Sequence, residues 1–192
     1  MRSGPCGSRG DARSALDERA RDAPARVGSS LMARGGFEVR VQVVAPPAEV
    51  YAHLLEPRSQ LGLQPLLTRI EGVEYDRDGS GRARARFEAI ERLRFVGFVR
   101  YDNRIRVECV GLLRNRRIGF TAWSRPGIVV HSEFALEPRG DGSQTRVVES
   151  VEIEAPGILL AMTLRIARRA HERLVLSLRA RMAVRPSEDE RA

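Results

Sequence analysis

The segment from Phe98 to Val110 alternates apolar and charged side chains at almost every position. One set of alternate positions holds apolar or small polar residues: Val99, Tyr101, Asn103, Ile105, Val107 and Cys109. The positions between them are charged: Arg100, Asp102, Arg104, Arg106 and Glu108. Because successive side chains of a strand point to opposite faces, this pattern predicts a strand with one face on a core and the other in water. Strands of this one-sided kind are typical of antiparallel sheets.

The same period of two residues recurs elsewhere in the chain. The segments are residues 37–43, 68–75, 82–92, 117–124, 128–137 and 145–154. Short runs rich in glycine, proline and aspartate separate several of them, as in Asp76–Gly81 and Pro138–Ser143, and such residues favour tight turns. The sequence therefore predicts a first strand that is followed, after an interruption, by six antiparallel strands.

The interruption is the stretch VAPPAEVYAHLLEP at residues 44–57. Its two adjacent prolines end the first strand, and proline is tolerated in the first turn of a helix because its missing N–H would have no partner there. Val50 and Leu54 have helical spacing, and Pro57 ends this short helix. Residues 58–63 predict a second helical turn before the strands resume.

A single long helix is predicted after Pro156 and Gly157, and it extends to about Val184. Its apolar stripe is formed by residues at spacings of three and four: Leu160, Leu164, Ala167, His171, Leu174 and Leu178. Arginine occupies most of the other positions, as expected for the water-facing side of an amphipathic helix that packs on a sheet.

The length of 192 residues and the hydrophobic content of 42% suit one domain with a sizeable core. Residues 1–36 contain few large apolar side chains, which predicts a disordered basic tail because such a segment buries too little surface to offset its ordering entropy. Residues 37–184 are assigned to the folded domain, and residues 185–192 to a solvated tail.

The formal net charge is +8, and every basic residue is arginine. An acidic partner would explain this charge, but the arginines alternate with apolar residues along strands, which favours a solvated basic surface. The two cysteines lack metal-ligand spacing, and a disulfide framework is not expected. No signal sequence and no apolar run long enough to cross a membrane are visible, so a reducing cytoplasm is the expected compartment.

The order of these elements resembles the START-like (SRPBCC) superfamily, in particular its polyketide cyclase/dehydrase and lipid-transport group. The matching stretches are Val39–Val44, Ala45–Tyr51, Gly142–Val147 and Ala155–Gly157. The resemblance implies an α+β helix-grip fold. In that fold a seven-stranded curved antiparallel sheet wraps around the long C-terminal helix, two short helices follow the first strand, and a ligand cavity lies between sheet and helix.

Polar residues on the predicted inner face are the candidates for chemistry in that cavity. Small inner residues such as Ala85 and Ala122 would leave space for a ligand. Glu149 lies on an apolar strand face and His171 on the helix stripe that should face it, so the two are candidate catalytic or anchoring groups; the alternative is a buried structural pair. The full set of predicted ligand-binding residues is Phe87, Tyr101, Asn103, Phe120, Ser132, Phe134, Glu149, Leu164 and His171.

Three functions remain open from the sequence. The first is binding or carriage of a hydrophobic small molecule such as a lipid, isoprenoid or polyketide. The second is a polyketide cyclase or dehydratase that uses acid/base groups of the cavity. The third is a basic interaction module for RNA, ribosome or anionic membrane. Neither a cofactor nor a metal ion is expected, because the sequence lacks phosphate-cradling glycine loops and metal-ligand spacing.

Overall fold

The computed structural model describes residues 31–94 and 100–183. Most of the predicted N-terminal tail and the whole predicted C-terminal tail lie outside these residues. The elements in chain order are β1 (Met32–Val43), α1 (Pro47–Leu55), a 3₁₀ turn (Pro57–Gln60), β2 (Leu67–Arg77), β3 (Ala83–Arg94), β4 (Arg100–Leu113), β5 (Arg117–Ser124), β6 (Ile128–Arg139), β7 (Gln144–Pro156) and α2 (Gly157–Ala183).

The strands form one seven-stranded sheet in the order β1-β7-β6-β5-β4-β3-β2, and every neighbouring pair is antiparallel. β2 to β6 each pair with the next strand along the chain, whereas β1 lies at the far edge beside β7. The long helix α2 follows β7 directly and returns across the sheet. The α+β helix-grip architecture is therefore confirmed, with the detail that the second predicted helix is a single 3₁₀ turn.

β1 begins at Met32 rather than at the predicted Phe37. The extra residues are ordered by backbone pairing, since Met32 lies opposite Pro156 and Gly36 lies opposite Glu152 in β7. Their side chains carry no alternation of apolar and polar character, so no pattern of residues indicated a strand there. Residues 32–36, which were predicted to belong to the N-terminal tail of residues 1–36, are therefore part of β1.

The helix α2 packs mainly against β1 and β7. Leu174, Val175 and Leu178 are its buried residues. The approach is close near Gly35, where an added Cβ atom would lie 2.7 Å from Cδ1 of Leu164. None of the helices in the part of the chain described is long and apolar enough to cross a membrane.

The short helix α1 packs against β4 to β7 and covers one end of the sheet. Val50 and Leu54 are its fully buried residues. Because α2 lies on the β1–β7 side, some apolar inner-face side chains of β4 to β6 are only half-buried, although others such as Val107 and Ile118 are buried. The half-buried ones include Ile105, Phe120, Ala122 and Val130. A concave apolar surface thus extends from α2 across the middle of the sheet.

Candidate functional site

Glu149 lies in the middle of β7, between Val39 of β1 and Phe134 of β6 in register. Every second residue of β7 from Thr145 to Ala155 is buried, so the alternation of the strand places this carboxyl group on the inner face. Its side chain is 0% exposed. A carboxylate in such surroundings requires partners, because burial of an unpaired charge is costly.

Two side chains bind the same oxygen of this carboxylate. Oγ of Ser132 donates to Oε1 of Glu149 over 2.6 Å, and Nδ1 of His171 lies 2.7 Å from Oε1. His171 comes from the inner stripe of α2, and its ring also packs edge-on against Phe37 with 5.7 Å between ring centroids. The other oxygen, Oε2, is buried and has no hydrogen-bond partner within the described residues. The structure thus joins β6, β7 and α2 through one carboxylate.

The ionisation of His171 is set by opposing effects. Burial lowers the pKa of His171, but the charge of Glu149, the hydrogen bond to it and the charge of Glu91 outweigh burial, and the net pKa is raised. Burial raises the pKa of Glu91, and the charge of His171 opposes that rise. The protonated form of His171 is therefore favoured more than in a free histidine. Because a carboxylate only accepts hydrogen bonds, Nδ1 is the donor to Glu149.

We expect the ionisation of His171 to appear in the pH dependence of stability. Its stabilising contribution is complete below the unfolded-state pKa of about 6.5 and is lost as the pH rises through the higher pKa of the folded state. In Glu149→Gln, burial outweighs the remaining attraction of Glu91, so we expect the midpoint to fall below that of the wild type.

Imidazole NMR titration measures this midpoint directly, and the chain has three histidines. His53, whose pKa is lowered by burial and by Arg181, provides an internal reference in both proteins. An unchanged His171 midpoint in Glu149→Gln would contradict the account of the pair.

The other predicted site residues are buried to different degrees. Phe87 and Phe134 are buried, Leu164 is half-buried on α2, and Phe120 packs edge-on against Phe134. Asn103 is buried, and its amide donates to Oγ of Ser124 over 3.0 Å. The predicted alternation thus describes the inner wall of β3 to β6 well.

Tyr101 is the most exposed of the predicted site residues. It lies on the same side of β4 as Asn103, but it is 48% exposed. The reason is its position next to Arg100, where β4 begins, so it lies at the outer end of the inner face. Tyr101 therefore lies at the rim of the inner face, and its role in ligand binding stays a prediction.

Sequence reasoning missed two polar residues of this wall. Glu91 lies opposite Asn103 in the register of β3 with β4, and Ser124 bonds Asn103. Both follow from continuing a recognised alternation by one more step, from Ala89 to Glu91 and from Ala122 to Ser124. Both residues are polar and follow the last apolar residue of the alternation, where the apolar pattern itself no longer marks an inner position.

A separate groove of ≈ 700 Å³ crosses the sheet from β1 to β4. Its lining is drawn mainly from the outer face and includes charged residues such as Glu108, Glu133 and Glu152. Of the predicted site residues, only Phe120 and Ser132 border it, and the Glu149–His171 pair does not. Since Glu108, Glu133 and Glu152 each lie within ion-pair distance of an arginine, we place the candidate site on the inner face.

The chain is similar to a family of known sequences over nearly all of its described length. The sequence model of a family described as "Polyketide cyclase / dehydrase and lipid transport" matches residues 34–183. A search of curated proteins finds no match.

Several solved structures share the fold. A START superfamily protein from Mycobacterium smegmatis has 15% identity and a TM-score of 0.59, over 77% of this chain and 97% of that one. The Zhui aromatase/cyclase from Streptomyces sp. R1128 has 15% identity and a TM-score of 0.59, over 79% of this chain and 94% of its own. A protein from Thermus thermophilus has 23% identity and a TM-score of 0.52, over 78% and 97% of the two chains. At these identities the likeness establishes the fold alone.

Proposed function

The chain belongs to the polyketide cyclase/dehydrase and lipid transport family, and from this premise we propose that it binds a hydrophobic small molecule between the sheet and α2. The observation that carries the proposal is the half-buried apolar surface of β4 to β6, next to a buried carboxylate with one oxygen unpartnered within the described residues. A concave apolar surface with few polar groups is the usual form of a small-molecule site.

In this proposal the apolar wall supplies most of the affinity, and His171 fixes the polar end of the ligand. Nδ1 of His171 is held by Glu149, so the ring is oriented and Nε2 is left to meet a ligand. Nε2 has no hydrogen-bond partner among residues 31–94 and 100–183. An imidazolium N–H at this point would donate to a carbonyl, hydroxyl or carboxylate oxygen. The expected ligand is therefore an elongated lipophile with an oxygen function at one end.

Native mass spectrometry of the full chain, purified without detergent, tests the proposal. We expect a fraction of the protein to carry a lipophilic adduct that organic extraction removes. A dansyl-labelled fatty acid added to the extracted protein should then bind at one site per chain, and it should be displaced by the recovered lipophile. A protein that carries no adduct and leaves the probe free would overturn the proposal.

An enzymatic function of the cyclase or dehydratase class is the second candidate, and the Ser132–Glu149–His171 hydrogen bonds favour it. A histidine held and polarised by a carboxylate can take a proton from carbon next to a carbonyl, or give one to a leaving hydroxyl. The test is turnover of a linear poly-β-ketone by Glu149→Gln and His171→Ala. Retention of the wild-type rate by both variants would exclude acid/base catalysis by this pair, while the binding experiment above remains independent of the result.

A further inference from the structure

An apolar patch is exposed where α2 begins. Ile158 is 89% exposed and Met162 is 53% exposed, one turn apart on the helix. The backbone N–H of Gly157 donates to the carbonyl oxygen of Leu31 over 3.0 Å, which places Leu31, itself 84% exposed, beside this first turn. We call the exposed residues Leu31, Met32, Ile158, Met162 and Ile166 the apolar patch.

Three arginines lie on the outer side of the same helix, C-terminal to Met162. Arg165, Arg169 and Arg173 follow Met162 at steps of three and four residues, so they lie on the side of α2 opposite the buried stripe. All three are exposed, and none forms an ion pair with an acidic residue in the described part of the chain. The helix contains a single acidic residue, Glu172.

The arginines of the sheet are different, because many of them have acidic neighbours. Arg34 contacts Glu154 at 2.7 Å, and Arg104 contacts Glu88 at 3.0 Å. Local pairing of this kind cancels much of the basic charge of the strands. The three arginines on the outer side of α2 have no such acidic partner in the described part of the chain, so their charge stays uncancelled next to the apolar patch.

We propose that this outer side of α2 docks on the surface of an anionic lipid bilayer. Apolar side chains beside unpaired arginines are the features of a helix that lies in a membrane interface, where the apolar groups enter the acyl boundary and the guanidinium groups meet phosphates. RNA would match the arginines but would leave the apolar patch exposed, and α2 has no Phe, Tyr or Trp on which bases would stack.

Docking would also place the proposed ligand site near the membrane. His171 lies on the inner side of the same helix, so docking through the outer side brings the apolar interior close to the source of lipophiles. The docking surface does not depend on the ligand site, since neither the apolar patch nor the three arginines contact Glu149.

Vesicle flotation of the full chain tests the docking, with phosphatidylcholine vesicles that contain or lack phosphatidylglycerol. We expect binding to the anionic vesicles, weakening as salt is added because the arginine–phosphate attraction is screened. Each arginine near a charged surface contributes about fivefold, so Arg165→Gln with Arg169→Gln should weaken binding about 30-fold. The matched control is Arg114→Gln with Arg116→Gln, which removes the same charge from the β4–β5 turn and should bind like the wild type.

A second variant tests the apolar half of the surface without changing charge. Ile158→Ser with Met162→Ser should also lose binding, and its thermal unfolding should match that of the wild type because both residues are exposed. The proposal is overturned if binding ignores lipid charge, or if the control double variant loses as much as the α2 variant. It is also overturned if the serine variant abolishes a dimer of the wild type, which would make a second copy the occupant, or if RNA competes away all vesicle binding.

Discussion

Replacing His171 with leucine is expected to lower the free energy of unfolding by about 3–5 kcal/mol at pH 7. Glu149 is completely buried, and His171 is the basic side chain that binds it. Leucine keeps most of the packing against Phe37. The expected loss of stability therefore comes from leaving the Glu149 carboxylate without a counter-charge. Ser132 would still donate one hydrogen bond, but a neutral hydroxyl does not cancel the charge.

The double variant Glu149→Leu with His171→Leu is the matched control for this prediction. Replacing both members of a buried ion pair with apolar residues of similar volume is often neutral or stabilising, so most of the lost stability should return. Urea unfolding of the wild type, both single variants and the double variant forms a complete double-mutant cycle. A loss below about 1 kcal/mol for His171→Leu alone would mean that water reaches the carboxylate and that the pair is a surface contact.

The contact between Glu149 and His171 could be predicted because the strand period and the helix period each place one of the two residues on a buried face. The period of two puts Glu149 among the buried residues of β7, and the helical period puts His171 on the stripe of α2 that includes the buried Leu174 and Leu178. The only further requirement is that the helix faces the sheet, which follows from the need to bury both apolar surfaces. The functional role of the pair stays a prediction.

Other features depend on tertiary placement, which local periodicity does not contain. Gly35 and Gly36 pair with β7 through backbone hydrogen bonds. Glycine has no side chain whose alternation could predict a strand there. The position of α2 over β1 and β7, rather than over the middle of the sheet, is equally invisible in the helix sequence. That position determines which inner residues, such as Ala122, stay half-buried.

Replacing Ala122 with phenylalanine is expected to weaken binding of a lipophilic probe by about 30-fold or more. Ala122 lies on the inner face of β5, opposite Val130 of β6 and Val107 of β4, and it is only half-buried. A phenyl ring would enter the space assigned to the ligand, where its own burial is worth about 2–3 kcal/mol. A ligand that displaces the ring must overcome this stabilisation, which corresponds to a factor of ten for each 1.4 kcal/mol.

Ala85 supplies the matched control for this substitution, because it is an inner-face alanine that is only 1% exposed. Ala85→Phe should destabilise the fold by about 1–3 kcal/mol or more, since overpacking a filled core forces its neighbours to move. Ala122→Phe should leave the free energy of unfolding unchanged or raise it, while probe binding falls. If instead both variants lose stability to the same degree, the region around Ala122 is filled by protein, and no volume is left between the sheet and α2 for a ligand. The proposal therefore requires that Ala122→Phe weakens probe binding without loss of stability, whereas Ala85→Phe loses stability. The reason is that a hollow next to Ala122 would accommodate the ring, and a packed core would not.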